Sequence, residues 1–120
     1  MTTVAAPRLF KMEEGTPEYS PRGSSIHQYI DANSNASIAA GTARFKDSDI
    51  PFTLWYDELT ICHEVEKSFE IIVGDAVHSM KAGDMIWLPA GTSLRYKSEG
   101  ISVCFFAVSP GDYEAKKPQA

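Results

Sequence analysis

Apolar residues along this chain come in short runs that alternate with polar ones, and the runs carry β-branched and aromatic side chains. That period of two, recurring over four to ten residues, predicts strands rather than helices. The pattern places strands near 26–30, 37–46, 51–56, 58–64, 68–73, 76–80, 84–88, 93–97 and 101–108. Cys62, Glu66 and Glu70 have helical spacing within 56–70, but the β-formers and the alternation there favour strands. The intervening residues have turn chemistry. Asp31-Ala-Asn-Ser-Asn is expected as a loop and Lys46-Asp-Ser-Asp as a turn. Gly74-Asp75 is a hairpin signal, Lys81-Ala-Gly-Asp and Pro89-Ala-Gly are tight turns, and Ser98-Glu-Gly is expected to close a further hairpin. Many short strands with regular turns predict an all-β sandwich or barrel.

The ends of the chain break the pattern. Pro7, Gly15, Pro17, Pro21 and Gly23 punctuate residues 1–25 too often for a helix, so an irregular N-terminal arm is expected there, with Phe10, Met12 and Tyr19 available to dock. Residues 26–110 form the single barrel, and the polar residues 111–120 are expected to fray. At 120 residues the chain makes one domain, large enough to hold a core without disulfides. Cys62 and Cys104 sit in apolar runs and do not make a disulfide framework. A net charge of −5 disfavours nucleic acid or an anionic membrane as partner. No stretch approaches the ~20 apolar residues of a membrane span, and no signal-peptide pattern opens the chain, so a cytoplasmic location is expected.

The stretch Lys81-Ala-Gly-Asp-Met-Ile-Trp-Leu-Pro-Ala-Gly-Thr-Ser-Leu resembles the second signature of the cupin family: a glycine-aspartate turn, a short apolar strand, then Pro-x-Gly. Glu58-Leu-Thr-Ile-Cys-His-Glu-Val resembles the end of the first signature, with Val65 where the family usually has glycine. The resemblance covers roughly residues 37–110 and implies an all-β, cupin-type jelly-roll barrel (a double-stranded β-helix), usually dimeric. Metal-binding cupins carry His-x-His before the glutamate and a histidine after the Pro-x-Gly. Here those places hold Pro51-Phe-Thr-Leu54 and Leu94, leaving Glu58 alone of four expected ligands. One carboxylate cannot hold a transition metal tightly, so no metal and no other cofactor is expected.

Gly41-Thr-Ala-Arg-Phe and Pro51-Phe-Thr-Leu-Trp-Tyr-Asp-Glu-Leu resemble the ethanolamine-utilisation EutQ group, which also lacks the histidines. That resemblance implies a small polar or amine-derived ligand held in the barrel. The group has also been assigned acetate kinase activity, but this chain has no glycine-rich phosphate loop and no lysine in a Walker setting.

Glu58 and Tyr56 are the candidate catalytic residues. Inside an apolar barrel, burial would raise the Glu58 pKa and suit it to acid–base chemistry; the alternative is an ion pair with a buried arginine or a hydrogen bond to Tyr56. Tyr56 either orients a ligand or lines the wall with its hydroxyl at the rim. Strand alternation puts Thr60 and Cys62 on the face of Glu58, and the candidate ligand-binding residues are Phe52, Thr60, Cys62, Trp87, Leu94, Tyr96 and Phe106. Asp57 points away and reads as solvated or as a turn anchor. Arg44 and Arg95 are either partners for a ligand anion or surface residues.

Leu59, Ile61 and His63 face outward, and that apolar outer face predicts a homodimer. His63 could reach Glu58 only through a bulge. Three function classes remain: a ligand-binding cupin with metal-free acid–base chemistry of the lyase or isomerase kind, a metal-dependent dioxygenase or lyase with an atypical ligand set, and a non-catalytic dimeric interaction module.

Overall fold

A computed structural model describes residues 6–34 and 36–118. Residues 1–5 of the expected arm, Asn35 of the expected loop and residues 119–120 of the expected tail lie outside them. The fold is all-β: β1 (Ser24–Ile30), β2 (Ala39–Thr53), β3 (Asp57–Val65), β4 (Ser68–Val73), β5 (Ala76–Ser79), β6 (Met85–Leu88) and β7 (Ser93–Ser109). Short 3-10 turns occupy Ala32–Ser34 and Tyr113–Lys116. No helix among the described residues is long and apolar enough to cross a membrane.

All the pairings are antiparallel, and they centre on β7. The order β1-β2-β7-β3-β6 makes one half of the jelly roll. In the other half, the first part of β7 pairs with the second part of β2 and with β4, which carries β5 on its far side. Phe45, Leu54, Phe69, Ile71 and Leu88 fill the space between the halves. Phe45 lies between Phe69 and Tyr96, with ring centroids 5.3 Å from each.

Two expected chain reversals are corrected. Lys46-Asp-Ser-Asp and Ser98-Glu-Gly do not end strands; they are facing irregularities within β2 and β7. Asp47 takes a left-handed φ of 45° and Gly100 one of 68°. The Gly100 N–H donates to Asp47 Oδ1 at 2.8 Å, fastening the two bulges together. Asp and Gly tolerate that conformation whether the chain reverses or only bulges, so their presence alone does not distinguish the two. The bulges bend the long β2–β7 ribbon so that it serves both halves of the barrel. Gly41 meets a separate constraint where β1 crosses β2, since a Cβ there would lie 2.0 Å from the His27 carbonyl oxygen.

The N-terminal arm is irregular but tied down. Glu13 reaches the outer face of β1 and β2, where its carboxylate accepts hydrogen bonds from Thr42 (2.7 Å), Arg44 and Tyr29. Its own N–H donates to the Tyr29 hydroxyl at 2.9 Å. Phe10 packs on Tyr29, with ring centroids 5.6 Å apart. Arg44 is thus occupied on the outside of the barrel, and Arg95 pairs with Asp49 at the surface, so neither faces an enclosed ligand. The C-terminal segment docks where fraying was expected: Trp55 Nε1 donates to the Tyr113 carbonyl at 2.7 Å, and Gly111 N–H to the Ser37 carbonyl at 2.9 Å.

Burial opposes ionisation of Glu13, but the hydrogen bonds from Thr42 and its own backbone, with the charges of Arg44 and His27, outweigh it and hold the carboxyl below its usual range. The arm's attachment is therefore complete at neutral pH and weakens as pH falls through that lowered pKa. Glu13→Gln is expected to speed proteolytic cleavage within residues 6–22 and to cost about 1–2 kcal/mol, the scale of a charged hydrogen bond. Unchanged cleavage kinetics would show that the arm is held elsewhere.

Candidate functional site

Period two along β3 sends Tyr56 (just before the strand), Glu58, Thr60 and Cys62 inward and leaves Leu59 and Ile61 on the outer face. Glu58 stands opposite Leu88 of β6 and Val108 of β7, so its carboxylate starts from the centre of an apolar sheet. Two hydroxyls meet it there. Thr60 Oγ1 donates to Glu58 Oε2 at 2.6 Å, and the Tyr96 hydroxyl donates to the same oxygen at 3.0 Å. Burial raises the Glu58 pKa, and these two hydrogen bonds offset only part of the rise. Burial also pushes the Tyr56 and Tyr96 phenols up, and the neighbouring Glu58 charge pushes them further, so both remain neutral donors.

This cluster lies against a cavity of about 300 Å³. Of the residues singled out in the sequence, Phe52, Tyr56, Glu58, Thr60, Tyr96 and Phe106 line it together. Three others do not. Cys62 is buried opposite Cys104, its cross-strand partner, and stays off the cavity wall. Leu94 is taken up by the core. Trp87 is 59 % exposed: its partner in β6–β3 pairing is Leu59, which puts it on the outer face, while Ile86 and Leu88 take the inward positions. Four apolar residues in succession in β6 gave no alternation from which to read that phase. Burial raises the Cys62 and Cys104 pKa values, so neither thiol is a poised nucleophile.

Tyr113 went unnoticed in the sequence because it follows a Pro-Gly break in a polar tail. It closes one side of the cavity, with its ring 4.7 Å from Tyr56. An aromatic in an otherwise polar segment was the one available signal. Cys104 lines the cavity from an apolar run of β7, Phe45 lines it from β2, and Arg22 from the arm. Asp57 turns away from the cavity and anchors the turn after β6 by accepting the Ala90 N–H at 2.8 Å.

The cavity donors do not fit a transition metal. They are one carboxylate, the Cys104 thiol, which burial keeps protonated, and neutral hydroxyls, and no cluster of three or more His, Cys, Asp or Glu occurs among the described residues. The bulge that would be needed to bring in His63 exists, between Cys62 and Glu64. His63 nonetheless stays outside, against the Phe105 ring at 5.2 Å.

The family profile described as ethanolamine utilisation protein EutQ matches residues 3–115. Among solved structures, the EutQ protein of Clostridium difficile is similar at 17 % identity and a TM-score of 0.69, with 78 % of this chain and 67 % of that chain covered. Ectoine synthase from P. lautus matches at 13 % identity and TM-score 0.68, covering 77 % of this chain and 67 % of that one. A cupin-2 domain protein from Shewanella frigidimarina NCIMB 400 matches at 16 % identity and TM-score 0.58, covering 72 % and 79 %. No curated protein matches the chain. At these identities the structural likeness speaks to the fold, and chemistry is argued from the site.

A carboxyl whose pKa rises on folding stabilises the fold fully only below its unfolded value and loses that contribution as pH climbs through the folded one. Glu58→Gln removes this cost. The melting temperature of the variant is expected to match wild type near pH 4 and to exceed it increasingly as pH rises from there toward the folded-state pKa. A difference that does not grow with pH would place the Glu58 pKa at its ordinary value.

Proposed function

The chain belongs to the ethanolamine utilisation protein EutQ family, and from that premise we propose that its barrel binds a small amine-derived metabolite through Glu58. The supporting observation is the arrangement around that carboxylate. Oxygen Oε2 is taken by Thr60 and Tyr96, no hydrogen-bond partner is found for Oε1 among the described residues, and the surrounding wall is aromatic. An ammonium group suits all three features. It donates to the remaining oxygen, supplies the charge that makes ionised Glu58 tolerable in an apolar site, and lies against the faces of Phe45, Phe52, Tyr56 and Phe106. The volume stands at the low end for small-molecule sites, as a short metabolite requires.

The same residues support metal-free proton transfer. Glu58, its pKa raised by burial, accepts or returns a proton at a bound ligand atom. Tyr96 and Thr60 hold the carboxylate in place, and Tyr56 presents a neutral phenol beside it. Isomerisation, elimination and cyclisation are the reactions that such a pair can serve.

A second copy of the chain is the partner we assign to the outer face of β3, β6 and β7. There Leu59, Ile61, Met85, Trp87 and Phe105 form an apolar patch, with Met85 63 % and Trp87 59 % exposed. Burial of such a patch between two subunits removes it from water.

Two measurements test these assignments. Calorimetric titration with ethanolamine should show affinity rising as pH climbs through the raised Glu58 pKa, since the cation needs the ionised acid. Glu58→Gln should weaken binding at least tenfold. Affinity independent of both pH and Glu58 would refute the ammonium assignment. In sedimentation velocity the wild type should run as a dimer and Trp87→Glu as a folded monomer; a monomeric wild type would remove the second copy.

A further inference from the structure

The cavity has opposite polarity at its two ends. Glu58 lies at the buried end, 7 % exposed, beside Cys104. Arg22 lies at the open end with Ser24 and Ile26, and Ile26 is 56 % exposed. Apart from these two charges and a few hydroxyls the lining is apolar, with residues such as Ala43, Phe45 and Ile50.

Arg22 is not placed there by a loose tail. Gly23, directly after it, takes a φ of 90° and packs against Lys46, whose N–H donates to the Gly23 carbonyl at 2.8 Å. The Gly23 N–H donates to the Ser20 carbonyl at 2.9 Å, and the Ser20 N–H to the Ser24 carbonyl at 2.7 Å. These bonds fix the turn that leads into β1 and hold the Arg22 backbone at the cavity rim. No carboxylate among the described residues pairs with its guanidinium, whereas Arg44 and Arg95 both have carboxylate partners. In a chain of net charge −5, an arginine without such a partner at the mouth of the main cavity is a ready anion contact.

We propose that the ligand is bipolar, with an ammonium at Glu58, a carboxylate or phosphate at Arg22, and an apolar spacer between them. This assignment depends on Glu58 taking the ammonium, and adds a second recognition point and a direction of entry. The anion stays at the rim, where Arg22 is exposed and the charge remains partly hydrated. The ammonium goes to the floor, where the carboxylate and the aromatic faces replace its water. A ligand entering the other way round would bring its anion to Glu58.

The test is titration of the full chain with four probes at one pH and ionic strength: n-butylamine, butyrate, 4-aminobutyrate and O-phosphoethanolamine. At least one bipolar probe is expected to bind ten or more times tighter than n-butylamine, and butyrate not to bind. The stronger of the two bipolar probes identifies the anion as carboxylate or phosphate. Arg22→Gln should bring the bipolar probe down to the level of n-butylamine and leave n-butylamine itself unchanged. Glu58→Gln should abolish binding of both. Because Arg22 is exposed, its variant is expected to keep the wild-type melting temperature. If n-butylamine binds as well as the bipolar probes, or if Arg22→Gln leaves their ratio unchanged, the bipolar assignment is wrong while the ammonium site stands. If neither class binds, both are wrong.

Discussion

Strand β7 is the shared partner of β2, β3 and β4, so one register governs most of this molecule. Its 17 residues run beside the 15 of β2, and the paired bulges at Asp47 and Gly100 turn that ribbon from one half of the barrel into the other. Side-chain direction is a strict period of two, so a slip of one residue along β7 would invert several faces at once. The inner positions Cys104, Phe106 and Val108 and the outer position Phe105 are set together by this ladder. The inward direction of Glu58 follows from the same register, through its pairing with Val108.

Placing a carboxylate at such a position is costly unless its oxygens find donors. Thr60 comes from the same strand, two residues along, and Tyr96 from the opposite half of the barrel. The second of these contacts therefore exists only when both halves have closed. Tyr96 also stacks on Phe45, which stacks on Phe69, so the polar cluster and the hydrophobic core meet in one side chain. Site and core are not separable parts of this barrel.

Much of this was legible in the sequence. The Lys81-to-Leu94 and Glu58-to-Val65 signatures pointed to the barrel, and alternation alone put Tyr56, Glu58 and Thr60 on one face. The rest was hidden for physical reasons. Met85-Ile86-Trp87-Leu88 is apolar throughout, and only pairing with β3 decides that Trp87 faces out. Asp47 and Gly100 carry turn chemistry that serves equally well in a bulge. Tyr113 and Arg22 lie in segments without periodicity, and tertiary contacts alone bring them to the cavity. The long-range ion pair of Arg44 with Glu13 spans the irregular arm, where no spacing rule applies.

The arm carries a consequence for how such a barrel diversifies. Arg22 belongs to a segment that takes no part in the β2–β7 ladder, yet it borders the cavity, while Glu13 secures the segment from the opposite face. Substitution of the exposed Arg22 side chain alters the rim without touching the β2–β7 ladder, whereas its neighbour Gly23 is held by Lys46. The floor, tied to the core through Tyr96, has no such freedom.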